Sequence, residues 1–227
     1  YEEFPKNYSD SLERKYLKTD YRIASGMDYT IFDDNVGYIR CKSFLNNTGA
    51  GNLDNIFLYM QPCRGLIIDI RNNGGGNVNN AEELAARFTN EELLVGYIQH
   101  KTGTGHDDFS SLQPQHLKPG KGIRWQKPVI ILTNRSVYSA ANEFVKYMKC
   151  CPKAKVVGDK TGGGAGLPFS SELPNGWSIR FSACPMYDKN KQMTEFGIDP
   201  DYKVDISSSD FSRGRDTIIE FARQLLH

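Results

Sequence analysis

Residues 65–71 read Gly-Leu-Ile-Ile-Asp-Ile-Arg, apolar at nearly every position over the length of one strand. After Asn72 and Asn73 come three consecutive glycines, Gly74, Gly75 and Gly76. A run without polar alternation suits a strand covered on both faces, as in a parallel sheet flanked by helices. The rest of the chain supplies those helices. Residues 50–60 carry Leu53, Ile56, Phe57 and Met60 at i, i+3, i+4, i+7, and residues 78–88 place Leu84, Ala85 and Phe88 on one helical face. Residues 139–150 read as a third helix, and residues 210–226 as a C-terminal one with Ile218, Phe221, Ala222 and Leu225 inward. Strands are expected at 36–44, 93–99, 128–133, 155–158 and 177–181. Strand and helix alternate, which predicts an α/β fold with a largely parallel sheet flanked by helices.

Residues 102–126, rich in Gly, Asp, Ser, Gln and Pro, are too long for a routine connection and read as a functional loop or lid. Residues 1–34 are polar and aromatic without clear helical period and read as a connector from an upstream region, leaving residues 35–227 as the core domain. The chain opens Tyr-Glu-Glu-Phe, without an initiator Met or a signal-like region, which reads as a start inside a longer protein.

At 227 residues the chain is ample for one core. Its formal charge of +1 and lack of a basic stripe argue against a nucleic-acid partner. No stretch approaches the ~20 apolar residues of a membrane-spanning helix. Five cysteines, with no C-x-x-C pair and no metal-ligand spacing, give neither a disulfide framework nor a metal site, so no cofactor is expected.

Four polar or glycine-rich turns could carry chemistry. The first, residues 69–76, is a buried strand running into three glycines, which let backbone N–H groups approach an anion; it matches neither common phosphate-binding pattern. The second, residues 130–144, is a strand that turns into a helix at Ser139, where orphan N–H groups and the macrodipole favour developing negative charge. Serine is equally a preferred helix cap, and Ser136 competes for either role. The third is residues 161–166, Thr-Gly-Gly-Gly-Ala-Gly, and the fourth residues 195–201, Glu-Phe-Gly-Ile-Asp-Pro-Asp. Each is weak alone, but three of them follow expected strands and would gather at one edge of a parallel sheet.

In this order, over residues 36–204, the four motifs resemble those of the tail-specific protease and tricorn-core family of serine peptidases. The resemblance implies a crotonase/ClpP-like core hydrolysing peptide bonds in extended or unfolded polypeptides. Ser139 then corresponds to the nucleophile, and Ser136 to a turn residue. The backbone N–H groups of Ala140 and of a glycine, Gly75 first and Gly76 second, correspond to the oxyanion hole. The tail-specific branch carries a catalytic Lys where this chain has Gly164. The tricorn-core branch uses a Glu that maps to Glu195, with a His and a Ser in a region upstream of the core. No such His motif is visible here. His100, His106, His116 and His227 are the four histidines, and His106 and Lys160 are the substitute bases to examine. The family also implies PDZ-like and helical domains upstream in the same parent chain and an exported, cell-envelope setting. A catalytically inactive peptide-binding module keeping the peptidase fold is the alternative reading.

Overall fold

The computed structural model describes residues 4–227. In chain order the helices are α1 (Asp10–Leu17), α2 (Ala50–Met60), α3 (Val78–Ala85), α4 (Ala140–Met148), α5 (Ser208–Ser212) and α6 (Thr217–Leu225). The strands are β1 (Arg22–Ala24), β2 (Met27–Ile31), β3 (Val36–Cys41), β4 (Gly65–Asp69), β5 (Leu93–Ile98), β6 (Gln113–Leu117), β7 (Val129–Thr133), β8 (Ala154–Gly158), β9 (Phe169–Glu172), β10 (Ser178–Phe181), β11 (Met186–Asp188) and β12 (Tyr202–Lys203).

The main sheet has seven strands in the order β1-β2-β3-β4-β7-β8-β12. From β3 to β12 every pairing is parallel, and β1 and β2 add an antiparallel edge. The apolar run at 65–71 is the central β4, buried at all five positions. Its side chains alternate between two cores. Leu66, Ile68 and Ile70 join Leu53, Ile56, Phe57, Leu84 and Phe144 from α2, α3 and α4 on one face. Ile67 joins Leu17 of α1 and Ile218, Ile219 and Ala222 of α6 on the other. Each strand of the parallel centre thus meets helices above and below, which is why it carries no polar face.

A buried ionic network ties the end of β4 to both termini. The Arg71 guanidinium donates to Asp69 (Nη2 to Oδ2 2.6 Å), to Asp216 Oδ2 (2.9 Å) and to the Asn7 carbonyl (3.1 Å). Arg71 and Asp69 are completely buried. Tyr38 donates its hydroxyl to Asp69 Oδ2 (2.9 Å), and Arg40 pairs with Glu13 of α1 while donating to the Asp69 carbonyl (3.1 Å). Asp216 also caps α6, accepting from the Ile218 and Ile219 N–H groups. Burial alone would raise the Asp69 carboxyl, but the adjoining Arg71 and Arg40 charges bring it below the ordinary carboxylate value.

Three expectations need correction. The segment taken as a connector is, from Asp10 on, part of this body: α1 packs on the sheet, and β2 pairs with β3 along its whole length. Leu12, Leu17, Met27, Tyr29 and Phe32 are buried there, but they are spread over elements too short to show a period. Residues 1–3 of that segment lie outside the described residues. The stretch 102–126 contains β6, which pairs antiparallel with β5, and buried Trp125; none of its residues lines the cavities at Ser139, so it is no lid over them. The C-terminal helix is interrupted at Gly214 (φ +71°), and α6 turns Ile218, Ile219 and Ala222 inward, while Phe221 is half-buried and Leu225 exposed.

Arg71→Met is expected to destabilise the protein by about 3–5 kcal/mol in urea unfolding, since it leaves two buried carboxylates without their cation. A loss below about 1 kcal/mol would contradict the role given to the network. With its folded-state pKa depressed, Asp69 contributes stability fully present above its unfolded value of about 3.9 and lost as pH falls through the lower folded value. Urea midpoints taken from pH 5 downward should therefore fall more steeply in the native sequence than in Asp69→Asn.

Candidate active site

The four sequence motifs meet at the carboxyl ends of β4, β7 and β8, joined by backbone hydrogen bonds in series. Tyr138 N–H donates to the Asn73 carbonyl (3.0 Å), Ser139 N–H to Gly163 O (2.8 Å), and Gly164 N–H to Glu195 O (2.9 Å). Side chains reinforce the chain of contacts. Asn73 donates to Cys41 O (3.1 Å), the Asn134 side chain accepts from the Asn72 N–H (3.0 Å) and donates to Asn72 Oδ1 (2.7 Å), and Thr161 links Asn142 of α4 (2.6 Å) to the Ile198 N–H (2.7 Å). Buried polar turns need such partners, which explains the density of Asn and Thr in these motifs.

Ser139 precedes α4 with φ +57° and ψ −124°, a conformation unusual for a residue with a side chain. Its hydroxyl makes no capping bond to α4 and no hydrogen bond among the described residues, so it is not there as a helix cap. Strain of this kind persists where surrounding structure imposes it, and here the Gly163 and Asn73 contacts on either side do so. Ser136 is exposed, has its N–H on Asn134 Oδ1 (3.2 Å), and lies outside the cavities at Ser139.

The glycine loop lies directly against Ser139. A Cβ on Gly75 would stand 2.8 Å from Ser139 Cβ and 2.9 Å from Ala140 N, and Gly75 has φ +102°. The Gly75 N–H is already donated to Asn73 Oδ1 (2.9 Å). Gly76 lines both cavities beside Ser139, and its N–H has no acceptor among the described residues. Gly75 thus provides close approach, while Gly76, and Gly74 in the larger cavity, carry N–H groups without an acceptor among the described residues. Ala140, first residue of α4, likewise has an unused N–H beside Ser139.

Two cavities open from Ser139. One, of about 680 Å³, is lined by Tyr138, Gly164, Arg180, Phe181, Ser182 and Glu195; the Ser182 hydroxyl donates to Glu195 Oε1 (3.2 Å). The other, of about 310 Å³, includes Ala140, Glu143, Ala165 and Met186. Neither substitute base is close. His106 is 98% exposed on the loop before β6, paired with Asp107, and Lys160 lines a separate cavity with Asp159 and Asp199. His100, His116 and His227 also lie outside both cavities. At Gly164 the φ is +74°, and an added Cβ would fall 2.1 Å from the ζ carbon of the exposed Tyr138 ring, so a side chain there requires the ring to move. Sequence reasoning missed Arg180, Phe181 and Ser182. Arg180 and Phe181 lie in β10, within the strand expected at 177–181, and Ser182 follows it; the β9–β10 ribbon is exposed on every residue, so nothing local marks it as a cavity wall.

Residues 35–204 match the family model "Peptidase family S41". A protein of Staphylococcus epidermidis named as a CtpA-like serine protease is 31% identical over 150 residues, covering 65% of this chain and 29% of that protein. Tricorn protease of Thermoplasma acidophilum is 25% identical over 190 residues, covering 82% of this chain and 16% of tricorn. The chain thus spans about a third or less of the length of these relatives. A crystal structure of a peptidase-like protein from Parabacteroides merdae superposes with a TM-score of 0.95 at 53% identity, over 98% of this chain and 71% of that one. With the family model covering most of its length and the family's motifs assembled around one serine, this chain belongs to peptidase family S41, the serine peptidases that include the C-terminal processing and tricorn-related enzymes.

Proposed function

We propose that the protein is a serine endopeptidase cutting extended or unfolded polypeptides, with Ser139 as nucleophile. The observation that carries this reading is the strained Ser139, whose hydroxyl is uncommitted and which sits between two unused N–H groups, those of Ala140 and Gly76. Ser139 Oγ attacks the scissile carbonyl carbon and passes its proton to a base. The Ala140 and Gly76 N–H groups hold the resulting oxyanion at the start of α4, where the helix dipole adds to their effect. The tetrahedral intermediate expels the amine with a proton returned by the base, and water then hydrolyses the acyl-enzyme.

The base in this reading is a His from a region upstream of residue 1, as in the tricorn-core branch, because no His or Lys of the described residues lines the Ser139 cavities. Glu195, held by Ser182, orients that His from the larger cavity. An exported, cell-envelope setting and upstream PDZ-like and helical domains belong to the same reading. Among the described residues no helix is long and apolar enough to cross a membrane.

A fluorophosphonate probe applied to the protein with its upstream region should label Ser139, and Ser139→Ala should abolish labelling while Ser136→Ala retains it. Labelling that survives Ser139→Ala would refute the assignment. On casein, Ser139→Ala should cost at least about 1000-fold in kcat/KM, and the 227-residue chain alone should cleave poorly for want of its base. Robust Ser139-dependent cleavage by the short chain would locate the base inside it, with Lys160→Ala and His106→Ala to identify it. Peptide binding without cleavage in the upstream-extended protein would instead favour the inactive module.

Gly75→Ala tests the oxyanion geometry. Its Cβ must push the glycine loop away from Ser139, so Gly76 N–H leaves its place, and probe labelling should slow by about 100-fold or more. Labelling at the native rate in a folded Gly75→Ala would remove the loop from the mechanism.

A further inference from the structure

A cation that the mechanism above does not use stands at the junction of the two cavities. Arg180 lines both of them, as do Gly76, Ser139, Gly164 and Pro168. It lies in β10 opposite Ser170 of β9, and beside it the Phe169 and Phe181 rings meet edge to face with centroids 4.0 Å apart, which pins the ribbon at this point. The guanidinium has no ion pair and no hydrogen bond among the described residues, although two carboxylates belong to residues of the same cavities. Glu195, in the larger one, accepts from the Ser182 hydroxyl (3.2 Å). Glu143, in the smaller one, has the Lys146 ammonium 2.6 Å from Oε2, and both of its oxygens are closed off from solvent. Lys146 is buried as well and anchored to Gln115 Oε1 (2.9 Å), so this pair sums to no charge and offers a ligand nothing to bond. A surface arginine without a partner is ordinary. This one stands in the cleft of the nucleophile, with both nearby acids engaged elsewhere.

The accessible charge of the smaller cavity is therefore positive. Its other uncommitted groups include two donors. Asn77 Oδ1 already accepts from the Asn79 N–H (2.9 Å), which leaves its Nδ2 without an acceptor among the described residues, and the Gly76 N–H is free. Val78, Ala165 and Met186 supply apolar walls for a short methylene stem. A carboxylate on such a stem complements this lining. In the larger cavity the Glu195 carboxylate would oppose it.

Which substrate residue enters the smaller cavity rests on the proposed peptidase reading. There Glu195 and the base occupy the larger cavity. The base must protonate the leaving amine, so that cavity faces the leaving group and the smaller one faces the acyl side, the P1 residue.

We propose that Arg180 is the specificity-determining residue of the P1 subsite, and that this subsite takes an acidic side chain, glutamate or aspartate. The guanidinium meets the carboxylate through paired N–H donors, and Asn77 Nδ2 supplies another. A lysine at P1 would set two cations together, and a glutamine keeps the size of glutamate without its charge.

The test uses peptides acetylated and amidated at their ends and identical except at P1, carrying Glu, Asp, Gln, Met or Lys. Their Kd is measured by fluorescence anisotropy on the Ser139→Ala form, and kcat/KM on the active protein, each with its upstream region. Glu should bind about 10-fold more tightly than Gln, with Lys weakest, and the ratio should shrink as salt rises, because a cation in an open cleft is screened. Arg180→Glu should reverse the order, placing Lys first and Glu last. Arg180→Lys should keep Glu ahead of Lys with a narrower margin. If the charge reversal fails to fold, Arg180→Gln should bring Glu and Gln level. A merely structural role would weaken all the peptides alike. Equal binding of Glu and Gln by the parent, an order unchanged in these variants, selectivity for acid at the leaving-group residue instead of P1, or no binding by any peptide overturns the subsite. So does a Met peptide that gains affinity from a free C-terminal carboxylate while amidated Glu does not exceed Gln, since Arg180 would then read a chain end. Acid-selective binding without cleavage overturns the peptidase reading and leaves the acid-binding subsite standing, whereas cleavage indifferent to P1 does the reverse.

Discussion

The guanidinium of Arg71 is the fixed point of the molecule. It leaves the end of the most buried strand, pairs with Asp69 behind it and with Asp216 at the start of α6, and binds the incoming chain at Asn7 O. Such a cation is costly to bury and holds only when its partners are held too, so β4, the N-terminal segment and α6 are fixed together. The run of glycines begins three residues later, at Gly74. Its position against Ser139 therefore depends on a network that contains no reactive group.

From that anchor the site is assembled by backbone rather than by side chains. Gly75 and Gly163 bring two loops against the Ser139 turn at distances no Cβ would permit: one on Gly163 would stand within van der Waals overlap of the Glu195 carbonyl. The hydrogen bonds linking residues 73, 138, 139, 163, 164 and 195 then hold the serine in its left-handed conformation. The same packing leaves the Ala140 and Gly76 N–H groups without acceptors among the described residues beside the serine, the preorganised donors that the proposed reaction needs.

The contact of Tyr138 with Gly164 separates this chain from the lysine-dependent branch of its family. With the ring in this position glycine is the residue that fits beneath it, and the ring and Glu195 both line the larger cavity.

Much of this protein was legible in its sequence. The nearly unbroken apolar run at 65–71, the period of Leu53, Ile56, Phe57 and Met60, and the glycine and asparagine turns are local signals, so the parallel sheet and its helices could be read without coordinates, while the choice of Ser139 over Ser136 came from the family resemblance. Several short elements were not legible: α1, β2, β6 and β9 have few residues and no period that stands out. Which glycine N–H is free, that Lys160 and His106 line neither cavity at the serine, and that Tyr138 fills the space above Gly164 were decided only by tertiary structure. Residue order specifies which backbone groups exist and which elements they enter. Which of those groups finds a partner depends on segments far apart in the chain, and only packing brings these together.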